Sequence, residues 1–197
     1  MSTSPGGFQP RMVWLFTGHM VDAPGRATPR FPESLVPAAE LRVAETLARL
    51  GAGPDDLALT QGAAGGDLIF TEAALALGLR VRWLQPFDEA LFLQASIRPY
   101  GGHWQARYDN ARARLDPAQP IAAAPQVLGP PAEGEDPYAR CNLWLLATAQ
   151  AFGPERVRLI ALWNGAPGDG PGGTDHLVRE VQQRQGQVVL INPADLA

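Results

Sequence analysis

Ala58-Leu59-Thr60-Gln61-Gly62-Ala63-Ala64-Gly65-Gly66-Asp67 reads as the end of a buried strand, a glycine-rich turn and an acidic residue opening a helix. A strand that runs into a helix through small residues gathers backbone N–H groups around one point. The positive end of the helix dipole lies beside them, so an anion is the natural occupant. Paired glycines exceed what capping alone needs, because glycine also lets a ligand approach the backbone. Asp67 has two readings here, a helix cap and a ribose ligand, and one carboxylate is able to serve as both.

The flanking sequence repeats the strand-to-helix rhythm. Met12 to Thr17 is a short apolar run ending at Gly18, as in a strand buried on both faces. A turn-rich stretch from Gly18 to Gly25 follows. Leu35, Ala38, Ala39, Val43, Leu47 and Leu50 then fall at helical spacing within 32–50, stopped by Gly51 and Gly53. Helices are expected over 67–77, 88–97, 104–115, 138–152 and 174–185, and strands over 57–60, 81–84, 157–163 and 188–192. This alternation predicts an α/β fold, a Rossmann-like doubly wound, mainly parallel sheet of about five or more strands with helices on both faces. A single domain over 11–197 is expected behind a flexible tail, 1–10. The segment 116–137, rich in proline, is expected to be a loop, either a mobile linker or an ordered flap.

Composition narrows the chemistry. At 197 residues, 46% hydrophobic and 18% charged, the chain is of globular type with room for a real core. A net charge of −4 argues against non-specific nucleic-acid binding, and nothing in the sequence suggests a membrane segment or a signal core. A cytoplasmic location is expected. All 16 basic residues are arginine, which excludes a Walker lysine, a Schiff base and a lysine general base. Any cation that grips a phosphate is therefore Arg. Cys141 is the only cysteine, and His19, His103 and His176 lie far apart, so neither a disulfide nor a metal site is expected.

Three strand ends carry the polar and glycine residues: Thr17-Gly18-His19, the stretch through Gly62, Gly65, Gly66 and Asp67, and a loop holding Asp169, Gly172, Gly173 and Thr174. In an open parallel sheet all carboxyl ends face one edge, so these loops are expected to converge on a ligand. Gly172-Gly173-Thr174, at a second helix start, offers a further anion or sugar contact. Trp104 and Tyr108 read as a packing stripe, and Arg98, Arg107, Arg112 and Arg114 as a solvated face from which one side chain reaches towards a phosphate. His176 is expected at the surface.

The chain resembles the SLOG superfamily, Rossmann-like domains related to the LOG phosphoribohydrolases and to DNA-processing proteins of that fold. The likeness rests on Phe16-Thr17-Gly18-His19, Gly62-Ala63-Ala64-Gly65-Gly66-Asp67, Leu84-Gln85-Pro86-Phe87 and Pro171-Gly172-Gly173-Thr174, in order from Val13 to Pro193. The resemblance implies a nucleotide or nucleotide-derived small-molecule ligand, no resident cofactor and, by analogy, a homodimer through helices. LOG enzymes carry Pro-Gly-Gly-x-Gly-Thr-x-x-Glu with a working glutamate. Here that position falls on Leu177, with Glu180 one turn further. The expectation is a binding or sensing domain. Its rivals are a nucleotide N-glycosidase using Asp67, Asp169 or Glu180, and a scaffold that binds nothing small.

Overall fold

A computed structural model describes residues 8–119, 121–167 and 170–196. Its centre is a six-stranded parallel sheet in the order β4-β3-β2-β1-β5-β6. The strands are β1 (Val13–Gly18), β2 (Leu57–Thr60), β3 (Arg80–Gln85), β4 (Ala122–Ala123), β5 (Val157–Leu162) and β6 (Gln187–Ile191). Every pairing is parallel, and β1 lies between β2 and β5, where the winding direction reverses. That reversal leaves a crevice beyond the carboxyl ends of β1 and β5.

Alternation along the strands divides the core between two faces. Trp14, Phe16, Ala58, Trp83, Ile160 and Leu162 face α1 (Val36–Arg49), α2 (Gly66–Ala76), α3 (Glu89–Ser96) and α4 (Gly102–Arg112). Val13, Leu15, Leu59, Leu84 and Leu159 face α6 (Pro137–Gln150) and α7 (Thr174–Gln183). Helices on both faces make the architecture doubly wound. Trp104 and Tyr108 are fully buried in the first core, as the packing stripe required.

Two differences from the sequence reading bear on the site. The sheet has six strands where five were counted, because the proline-rich segment contributes β4 and then α5 (Ala124–Leu128). Two residues of strand are too short to leave a periodic signal, and their pairing with Leu84 and Gln85 is a tertiary fact. The second difference is at the first helix, which opens with a 3-10 turn at Glu33–Leu35. Of the expected tail, residues 1–7 lie outside the described residues, while the Phe8 ring sits 3.9 Å beneath the Arg80 guanidinium.

Candidate ligand-binding site at the carboxyl edge of the sheet

A cavity of about 420 Å³ lies over the switch point. Its walls come from the end of β1 (Thr17, Gly18, His19), the β2 turn (Gln61, Ala63, Asp67), the start of α6 (Asp136, Tyr138, Asn142), Trp163 after β5, and the start of α7. The three strand ends singled out in the sequence thus meet in one place. Gly18, His19, Asp67, Gly172, Gly173 and Thr174 line it. Gly62, Gly65 and Gly66 belong to the same turn but do not line the cavity. Gly168 and Asp169 lie outside the described residues.

Three helices point their N-termini at this edge, and their states differ. At α2 the N–H groups are largely taken by the protein: Gly66 donates to the His19 carbonyl (3.1 Å), Ala64 to Ser96 (3.0 Å), and Ala63 to Asp67 Oδ2 (3.3 Å). Gly65 sits at φ +102°, and a Cβ there would collide with the Val21 backbone. These glycines therefore let β1's outgoing loop cross the turn, and they stand back from the cavity. Asp67 does not cap α2, whose N-cap is Gly65. It turns back onto its own turn instead.

At α6 the cap is filled by Asp136, whose Oδ1 accepts from Ala139 N at 2.7 Å. The α7 N-terminus is the open one. Its N-cap is Gly173, which has no side chain to offer, and the N–H groups of Thr174 and Asp175 have no hydrogen-bond partner among the described residues. The Thr174 side chain is 8% exposed and lines the cavity.

Asn142 locks the α7 loop in position. Its Nδ2 donates to the carbonyls of Gly172 (2.9 Å) and Gly173 (3.4 Å), and its Oδ1 accepts from Gln61 Nε2 (3.0 Å). One buried amide thus ties the β2 turn to the α7 start. Gly172 packs so closely on α6 that a Cβ would collide with Ala139 N and Asp136 Oδ1. Asn142 and Asp136 were missed in the sequence. Asn142, an amide on an otherwise apolar helical stripe next to Cys141, was the available signal, whereas Asp136 was masked by the proline-rich segment.

The electrostatics are uneven. His19 Nε2 lies 3.1 Å from Asn164 Oδ1, and burial lowers the imidazole's pKa, which keeps the ring neutral near pH 7. Burial pushes the Asp67 carboxyl up to about 7, against the opposing pull of the Ala63 N–H, Thr60, and the Gln61 and Gly62 N–H groups. The Thr60 hydroxyl is near enough to favour ionisation but completes no hydrogen bond of normal geometry. Among the described residues, Arg30, from the loop after β1, is the arginine on the wall. None of Arg98, Arg107, Arg112 and Arg114 lines the cavity; Arg107 pairs with Glu72 and Glu40, and Arg112 with Glu89.

Leu177, where the resemblance to LOG enzymes would put their glutamate, is fully buried in the second core. Glu180 pairs with Arg184 along α7 and is not on the cavity wall. His176 is half-buried with Nδ1 unpartnered, so it is less of a surface residue than expected. Among the described residues, no cluster of three or more His, Cys, Asp or Glu is arranged to hold a metal, and no helix is long and apolar enough to cross a membrane.

No family model matches the chain, and no curated protein matches it. Among solved structures it is similar to the Moco carrier protein from Chlamydomonas reinhardtii, at 15% identity and a TM-score of 0.44, covering 92% of this chain and 76% of that one.

Proposed function

We propose that the carboxyl-edge cavity binds a nucleotide or nucleotide-derived ligand, with its phosphate at Gly172-Gly173-Thr174 and its ribose or base towards Asp67 and His19. The observation that carries this reading is the α7 N-terminus at the cavity, whose N-cap is a glycine without a side chain and whose Thr174 lines a space of ligand size. Arg30 on the wall supplies the positive charge that an all-arginine chain must draw on. The α7 start is preferred over Gly65-Gly66 for the phosphate because the Gly66 N–H is taken by the His19 carbonyl.

Binding without turnover is the preferred form. The LOG glutamate is replaced by a core leucine, and Glu180 is spent on Arg184. The test is calorimetry with a panel of 5′-nucleotides, followed by chromatography for released base. Saturable binding with intact nucleotide recovered supports the reading. Free base appearing would make the domain a nucleotide N-glycosidase, and no binding anywhere in the panel would leave a scaffold.

A further inference from the structure

The cavity wall holds three carboxylates, Asp67, Asp136 and Asp175. Asp136 caps α6 through Ala139, and Asp175 pairs with Arg179 along α7. Asp67 is the most deeply buried of the three. It is 7% exposed and accepts one long bond, from Ala63 to Oδ2, while Oδ1 completes no hydrogen bond of normal geometry. A buried carboxyl has room for about four donors and ordinarily finds them. Here Ala63, Thr60, Gln61 and Gly62 all lie close, only Ala63 completes a bond of normal geometry, and the carboxyl lies on the cavity wall.

The complement of Asp67 has to be a donor. A cationic donor is not required, because Arg30 already lies on the wall beside its carboxylates. Hydroxyl groups donate without adding charge, and two neighbouring hydroxyls match the two oxygens of one carboxylate. Asn142 sets the spacing: it links Gln61, six residues before Asp67 in the same turn, to the α7 loop. The donors therefore belong next to the phosphate, on the sugar.

Resting on the reading above, we infer that Asp67 is the specificity-determining residue of the cavity. It takes the hydroxyls of a vicinal diol on the sugar of a phosphorylated ligand, and it gives up its own proton when that diol binds. The groups facing this carboxyl are few. Thr60, Gln61, Gly62 and Ala63 come from the β2 end, and α6 contributes the Cys141 thiol, which burial and Asp67 itself hold protonated. His19, Arg30, Asp136, Tyr138 and Asp175 share the cavity. Of these, His19 is held neutral by burial. In the empty site at neutral pH the carboxyl is partly protonated, for burial sets it at about 7. Two hydroxyl donors favour the carboxylate, so the acid proton leaves to solvent as the diol docks.

The test is calorimetry of the full chain with ribose 5-phosphate, 5′-AMP and 2′,3′-dideoxy-AMP, at about pH 6 and about pH 8, in two buffers of different ionisation enthalpy. Taking the AMP-to-dideoxy ratio cancels the titration of the phosphate itself. The expected ratio is about tenfold to hundredfold at the higher pH and falls on acidification, with more proton release for AMP than for its dideoxy analogue. Asp67→Asn should bring the ratio towards one at both pH values; the wild-type pH dependence and buffer effect stand independently of that variant's folding. Equal affinity for AMP and its dideoxy analogue, or a ratio constant with pH, would overturn the role of Asp67 while leaving the phosphate site intact. No binding of any of the three ligands would overturn both.

Discussion

Two buried aspartates stand at opposite ends of the sheet, and they are treated very differently. Asp56, at the amino edge, is fully buried and accepts from Arg11 Nε (3.1 Å) and Nη2 (2.7 Å), Met12 N (3.1 Å), Trp14 Nε1 (3.0 Å) and Gly53 N (3.0 Å). Asp67, at the carboxyl edge, is nearly as buried and receives one bond of 3.3 Å. The first is a saturated structural hub that joins the start of β1 to the loop before β2. The second is an acid kept short of partners beside a cavity. A fold held only for its own stability would satisfy both. The difference is the one on which the proposed ligand site at the carboxyl edge draws.

The contrast can be broken most forcefully at Asp56. Asp56→Ala strips an acceptor from five donors and leaves the Trp14 indole N–H buried without a partner. A loss of about 3–5 kcal/mol is expected, read as a lower urea midpoint.

Asp67→Asn should do the reverse. The folded carboxyl titrates at about 7 against 3.8 for the free group, so the folded state holds the proton more tightly. Its contribution to stability is present below about pH 4 and is lost as pH rises through about 7. The variant should therefore gain on the wild type by up to about 1.4 kcal/mol per pH unit across that window. His19 acts in the opposite sense: burial lowers its pKa, so stability falls as pH drops below the ordinary histidine value of 6.5. Comparing urea midpoints of variant and wild type at each pH isolates Asp67, since His19 is common to both chains.

Gly172→Ala sharpens the comparison at the site itself. The added methyl group collides with the α6 cap, so a stability loss of about 1–3 kcal/mol is expected. Binding of 5′-AMP should weaken with it, since the α7 start is displaced; calorimetry on the folded fraction separates the two effects. Glu180→Gln should do least. It breaks a half-exposed pair with Arg184 off the cavity wall, so stability should move by about 0.5 kcal/mol or less by thermal melting, and affinity for 5′-AMP should hold.

Much of the fold was legible in the sequence because parallel strands buried on both faces announce themselves as apolar runs. Val13 to Phe16 and Val157 to Leu162 needed no tertiary information to be read. Ala122–Ala123 did, for two small residues acquire strand character only by pairing with Leu84 and Gln85. At the site, the glycine loops and the residues Gly18, His19 and Asp67 were visible from their places at strand ends. What the sequence left hidden was occupancy. Gly65-Gly66 and Gly172-Gly173 look alike as strings, yet the first is crossed by the loop from β1 and the second is open. Arg30 and Asn142 were hidden for a related reason, as they arrive from a loop and a helix whose approach is fixed by packing.

The α7 N-terminus, whose first two N–H groups find no partner among the described residues, is the feature on which the functional reading turns. Its most direct test is a titration of the isotopically labelled protein with 5′-AMP, following backbone amide shifts by NMR. Thr174 and Asp175 amides are predicted to move furthest, with those of Ala63, Ala64 and Gly66 little changed. Dominant shifts at Gly65-Gly66, with Thr174 and Asp175 unmoved at saturation, would contradict the assignment of the phosphate to α7.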